Sequence, residues 1–251
     1  METVSVRPPF GVALAVVGDE IARPGSKRQD ECVEELSLGW LGAAIESLGL
    51  ETLSLGVRPD TAESLRDAIL HLRGRAEVLL LVGGASDGVT DRTLESLIRF
   101  DSQLVFHGVD LDGAASLGHA KSLGIDVLAI GGKPLESAAL WDLFLRPALL
   151  ACLGASPDHW DWSRGGLAID LSPDPGGPRA QPGSVSPAAR ARGPDGALVI
   201  RALSPDAVSP FLPVAPPQEG WLIWPRGSAS HGGLAAGMGY FQPLSPSGRP
   251  I

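Results

Sequence analysis

The chain has 251 residues, a formal net charge of −9 at pH 7, 44% hydrophobic residues and two cysteines, Cys32 and Cys152, far apart in the sequence. That length supports a real hydrophobic core, in one large domain or in a medium domain with a small companion. The acidic balance argues against nucleic acid, which needs a basic surface, and two distant thiols give neither a disulfide framework nor a cysteine metal site.

No stretch reaches the roughly 18 uninterrupted apolar residues of a bilayer span, and the N-terminus lacks a basic region followed by an apolar one, so a cytoplasmic protein without membrane contact is expected. The whole acid excess lies in residues 1–154; beyond them acids and bases balance, and most of the 22 prolines fall there. Such a composition shift predicts a domain boundary near Gly154 to Pro157, with domains at 1–154 and 155–251.

In the first part, apolar runs alternate with segments of helical period. Strands are expected at Val12 to Val17, Thr52 to Val57, Val78 to Val82, Leu104 to Val109 and Ile125 to Ile130. Helices are expected at Cys32 to Leu48, Ala62 to Leu72, Leu94 to Phe100 and Leu135 to Leu153. Alternation of this length predicts βαβ units, that is, an α/β three-layer αβα domain with a mostly parallel sheet. Thr61, Ser64 and Asp67 suit a helix cap and first turn, and Gly49 and Gly74 stand where helices should stop. Leu140, Trp141, Phe144, Leu145 and Leu149 give the last helix an apolar stripe, either core or a dimer face. In the second part, short strands at Ser163 to Asp170, Ala197 to Ala202 and Trp221 to Trp224 predict a small β-barrel-like domain, with a Pro/Gly-rich loop at 172–192.

The most telling segment is Val78-Leu-Leu-Leu-Val-Gly-Gly-Ala-Ser-Asp-Gly-Val-Thr-Asp91, where an apolar run breaks into a polar, glycine-rich turn and resumes as a helix. Gly83, Gly84 and Gly88 let backbone approach a ligand closely, while Ser86, Asp87 and Asp91 put polar groups where strand meets helix. Ligands of open α/β sheets bind outside the carboxyl ends of strands, at loops of this kind. Glu20 and Asp60 follow two other predicted strands; taken singly each is an ordinary solvated or capping acid, and only their joint placement suggests a site.

Gly18-Asp-Glu-Ile21, Pro59-Asp60, Gly83-Gly-Ala-Ser-Asp-Gly88 with Asp91, and Phe144-Leu-Arg-Pro-Ala-Leu149 resemble, in this order, the molybdopterin-binding domain of the molybdopterin molybdenumtransferases, the gephyrin-type molybdenum insertases. Gly220-Trp-Leu-Ile-Trp-Pro-Arg-Gly227 is similar, more weakly, to the last strands of that family's C-terminal β domain. The resemblance implies a protein of molybdenum cofactor biosynthesis that binds molybdopterin or its adenylated form, handles molybdate and uses magnesium. It implies catalytic roles for Glu20, Asp60 and Asp91, with Asp60 and Asp91 holding metal. It implies that Gly83, Gly84, Ser86 and Gly88 bind the cofactor; Asp87 inside the same turn and Lys133, both departures from the family's pattern, are counted with them as cofactor-binding residues of this chain. A homodimer is implied, and a second cofactor-synthesis protein is a further expected partner.

The sequence departs from the family's pattern at several of these places. The Lys-Pro-Gly-Lys-Pro element reads Asp112-Gly-Ala-Ala-Ser116, Leu-Pro-Gly-Asn-Pro reads Ile130-Gly-Gly-Lys-Pro134, and Asp-Ser-Asn at the first helix aligns with Glu35-Leu-Ser37. Lys133 is the substitute cation. The family's enzymes carry two N-terminal domains, whereas this chain starts almost directly at the molybdopterin domain, so the expectation is that the missing half comes from another polypeptide. Two readings therefore stand, a molybdotransferase-like enzyme and a non-catalytic homologue that binds, carries or scaffolds.

The five histidines show no metal-ligand spacing, although His107 at a strand end could face the cleft. Trp160 and Trp162 read as domain-interface packing. Ser163 and Ser209 lack the turn and paired histidine of a hydrolase nucleophile.

Overall fold

The computed structural model describes residues 10–22, 25, 32–83, 102–109, 111 and 115–154. Beyond Gly154 it describes the backbone pairing of the strand segments 163–164, 168–170, 184–192, 198–202, 220–224, 234–235 and 240–243. The helix expected at Leu94 to Phe100 lies outside the described residues.

Strand β1 (Gly11–Val17) buries both of its faces, Val12, Leu14 and Val16 on one and Ala13, Ala15 and Val17 on the other. Burial on two faces is what a parallel strand between two helical layers requires. Together with β4 (Glu51–Arg58), β5 (Val78–Gly83), β6 (Ser102–His107), β7 (Leu117–Ser122) and β8 (Ile125–Ile130), it forms a six-stranded sheet of order β4-β1-β5-β8-β7-β6. The first four strands are parallel, and β7 and β6 are added antiparallel.

Helix α1 (Ser37–Glu46) packs on one face through Leu41 and Ile45. So does the rod made of α3 (Pro134–Leu140), a π-helical turn (Trp141–Leu145) and α4 (Arg146–Cys152). Helix α2 (Ala62–Leu72) covers the other face through Leu65, Ile69 and Leu72. These are the three layers and the mostly parallel sheet expected. Each fully buried leucine in them contributes about 1.5–3 kcal/mol of transfer free energy.

The apolar stripe of the last helix is core: Leu140, Trp141, Leu145 and Leu149 are buried and Phe144 is partly so. The π turn has a local cause. Pro147 has no N–H to give the Leu143 carbonyl and its ring crowds that carbonyl, so the helix widens one turn earlier, where the Arg146 N–H bonds to the Trp141 carbonyl.

Three expectations need correction. The helix expected from Cys32 begins only at Ser37; before it, β3 (Val33–Glu34) pairs in parallel with β2 (Ile21–Ala22). The buried Glu35 then accepts the Leu38 N–H at 2.8 Å, ending the extended segment and starting the helix. Strand β7 was not anticipated, because Leu-Gly-His-Ala-Lys-Ser carries no Val/Ile run. It is set by the hairpin to β8, whose turn residues Leu123 and Gly124 both have positive φ, 50° and 82°, the type I′ pattern that suits twisted strands. Finally, part of the loop expected at 172–192 is a strand.

That strand is β11 (Ser184–Arg192), and it lies in a second, mostly antiparallel sheet. The others are β9 (Ser163–Arg164), β10 (Ala168–Asp170), β12 (Leu198–Ala202), β13 (Gly220–Trp224), β14 (Leu234–Ala235) and β15 (Tyr240–Pro243), in the order β14-β10-β12-β11-β13-β15-β9. Pro187, which argued for a loop, is tolerated because β11 pairs with β13 through residues 184–188 and with β12 only from Ala188 onward. Pro187 therefore has a partner strand on one side alone.

Candidate functional site

The parallel strands β4, β1, β5 and β8 finish side by side, with Val17 opposite Arg58 and Gly83, and Val82 opposite Ile130. Strand β7 starts at the same edge, Leu117 facing Ile130, and β6 ends there, His107 facing Gly118. Of the residues singled out in the sequence, Glu20, Asp60, Gly83 and Lys133 thus share the carboxyl edge of one sheet, and the exposed His107 joins them. Gly84, Ser86, Asp87, Gly88 and Asp91 lie outside the described residues.

The exit of β1 is tight. The Gly18 N–H donates to the Arg58 carbonyl at 3.2 Å, and the Val33 N–H donates to the Glu20 carbonyl at 3.0 Å. The Glu20 carboxylate folds back over Gly18: a Cβ there would stand 3.1 Å from both carboxylate oxygens and 2.9 Å from Ile21 Cγ1. Glu20 itself is exposed, and Asp60 is half-buried two residues before the start of α2.

Two helix starts that face this edge are filled by the chain's own oxygens. Glu35 takes the Leu38 N–H of α1, and Thr61, the expected cap, accepts the Ser64 N–H at 3.2 Å on α2. At the exit of β8, the exposed Lys133 occupies the N-cap position of α3 without a side-chain capping bond, Pro134 holds the first helical position, and the buried Ser137 hydroxyl donates to the Gly131 carbonyl at 2.6 Å.

Glu136, which the sequence reading passed over, reaches across to the β6–β7 connection and accepts the Ser116 N–H at 3.0 Å. The available signal was weak: an acid two residues after a proline at a helix start normally serves its own helix. Among the described residues no group of three or more His, Cys, Asp or Glu side chains is placed to hold a metal ion. Asp60 is the described member of the expected metal pair. No helix among the described residues is long and apolar enough to cross a membrane.

A family model described as a probable molybdopterin binding domain matches residues 13–151, more than half of the chain. The chain belongs to the molybdopterin-binding domain family. The match runs from β1 to α4, so every described element of the carboxyl edge lies inside it.

Among relatives, the chain is 22% identical over 179 residues to a molybdopterin molybdenumtransferase 2 of Mycobacterium tuberculosis, covering 69% of this chain and 44% of that protein. The fold is similar to that of a molybdopterin biosynthesis MoeA protein from Pyrococcus horikoshii, with TM-score 0.66 and 18% identity, covering 94% of this chain and 54% of the other. It is also similar to that of a molybdenum cofactor biosynthesis protein from Pyrococcus furiosus, with TM-score 0.57 and 16% identity, covering 94% and 68%. The chain spans about half the length of the first two. Among the described residues, Glu20, Asp60, Gly83 and Lys133 stand at the edge where ligands of open α/β sheets sit.

Proposed function

We propose that this protein binds molybdopterin at the carboxyl edge of the six-stranded sheet and acts in the cytoplasm in molybdenum cofactor biosynthesis. The observation that carries the proposal is the family match over residues 13–151, the stretch whose strand ends align Glu20, Asp60, Gly83 and Lys133. The pterin's phosphate monoester needs several N–H donors at once. By the resemblance of its motif, the turn that takes the phosphate in this reading is Gly83-Gly-Ala-Ser-Asp-Gly88, through Gly83, Gly84, Ser86, Asp87 and Gly88. Lys133 supplies the balancing positive charge. Glu20, Asp60 and Asp91 act on the metal and oxyanion side, magnesium being held by Asp60 and Asp91 together with ligand oxygens.

In this reading the molecule is a homodimer of chains divided near Gly154, working beside another cofactor-synthesis protein on molybdopterin or its adenylated form, with molybdate as substrate. A second reading, binding and carriage without molybdenum insertion, is favoured by one observation: the two lysine positions of the related enzymes read Asp112 and Ala115 here. Each lost charged hydrogen bond is worth about 1.5–3 kcal/mol.

The test is a fluorescence-quench titration with molybdopterin and with its adenylated form, with and without magnesium and molybdate, on the wild type and on Asp91→Asn and Asp60→Asn. Binding that weakens in both variants while the fold is retained is the expected outcome. Absence of binding under all these conditions would sink the proposal. Binding without conversion of molybdate would leave the carrier reading.

A further inference from the structure

We propose that Glu136 is a positioning residue of this site, holding Ser116, at the entry to β7, against the β8–α3 turn; the proposal rests on the carboxyl-edge reading above. Strand β6 returns into β7 through a compact backbone crossing, in which the Gly108 N–H donates to the Leu117 carbonyl at 2.8 Å and the Val109 N–H to the Ala115 carbonyl at 3.1 Å.

Two bonds anchor the connection to the β8–α3 turn. The Gly131 N–H donates to the Ser116 carbonyl at 2.9 Å, and the Ser116 N–H donates to Glu136 Oε1 at 3.0 Å. The first is backbone and survives any substitution that keeps the turn. The second depends on one side chain, twenty residues away in sequence and half-buried.

The space for that carboxylate is made by Gly131, where a Cβ would stand 2.5 Å from Glu136 Oε2 and 2.9 Å from its Cδ. Gly131 and Glu136 are thus a matched pair. The residue they hold, Ser116, is the last of Asp112-Gly-Ala-Ala-Ser116, the stretch of sequence that replaces the lysine element of the related enzymes. A carboxylate thus grips the Ser116 backbone, so the position of Ser116 is set from the β8 side.

The experiment compares the full chain with Glu136→Ala, Glu136→Gln and Gly131→Ala by amide hydrogen exchange at Ser116 and by molybdopterin titration. Ser116 is expected to lose protection in Glu136→Ala and Gly131→Ala and to keep it in Glu136→Gln, which retains the acceptor oxygen. Molybdopterin affinity is expected to fall about tenfold in Glu136→Ala and to be restored in Glu136→Gln, in line with the loss of one charge-assisted backbone bond. Unchanged Ser116 exchange in Glu136→Ala, or unchanged affinity once exchange has risen, overturns the positioning role. A wild type that binds no molybdopterin while Ser116 responds as expected overturns the site reading and leaves the anchor standing. Unfolding of Glu136→Ala is controlled by Glu136→Gln, whose failure to restore binding in a folded protein also overturns the proposal.

Discussion

The two edges of the six-stranded sheet use glycine for opposite purposes. At the amino edge Gly11 admits backbone: a Cβ there would stand 2.8 Å from the Arg75 carbonyl oxygen and 3.2 Å from Ala76 Cα. Its N–H donates to Glu77 Oε2 at 2.8 Å, while the Glu77 N–H donates to its carbonyl at 3.0 Å. At the carboxyl edge, Gly18 and Gly131 admit carboxylates, those of Glu20 and Glu136. One edge is closed by main chain that cannot move; the other is furnished with side chains that can.

The largest effect expected from this contrast is on stability. Gly11→Ala pushes a methyl group into a fixed carbonyl and should cost about 1–3 kcal/mol, as overpacking does. Gly131→Ala meets chiefly the far end of a flexible glutamate and should cost clearly less, because the carboxylate swings aside. Urea unfolding of both variants measures the difference. Equal losses would mean that the carboxyl edge is as rigidly built as the amino edge, and the contrast between them would fail.

A smaller effect separates the two helix starts at the carboxyl edge. Glu35 is only 5% exposed and satisfies the Leu38 N–H, whereas Thr61 is exposed where it satisfies the Ser64 N–H. Removing either acceptor costs about 0.5–2 kcal/mol. Glu35→Ala should sit at the upper end, since it leaves a donor in a drier place, and Thr61→Ala at the lower. Chemical denaturation of the two variants checks the order, and Thr61→Ala proving the costlier would show that water reaches the start of α1.

Much of this could be read from sequence because the signals are local. Buried strands such as β1 and β5 are near-continuous apolar runs, α2 announces its own cap at Thr61, and Glu20 and Asp60 directly follow the ends of strands. What stayed hidden is the product of pairing across distance. Strand β7 has an unremarkable composition and exists because β8 offers it a partner; the role of Glu136 depends on that same pairing, which brings Ser116 to Gly131. Strand β11 was masked by the proline and alanines that its one-sided pairing tolerates. The unexpected start of α1 follows from a contact of Glu35 three residues along, whose sequence reads equally well as one more helical turn.

The smallest effect concerns how the two edges hold their acids. At the carboxyl edge Glu35 and Glu136 accept backbone N–H groups; at the amino edge Asp126 is gripped by side chains, Lys121 Nζ at 2.8 Å and His119 Nε2 at 2.7 Å. Partial burial pushes the Asp126 carboxyl up, but the hydrogen bonds and charges of Lys121 and His119 outweigh it and hold the group below its ordinary range. A folded-state pKa below the unfolded one gives stability that is present above the ordinary carboxylate range and is lost as pH falls through the lowered value. The Asp126 side chain is 39% exposed, so screening keeps the contribution near the exposed-pair range of about 0.2–1 kcal/mol. Asp126→Asn should therefore be slightly less stable than the wild type at neutral pH, with the gap closing in acid and shrinking in high salt. A gap that instead widened as the pH fell would mean that Asp126 serves the amino edge as a neutral hydrogen-bonding group and not as a charge.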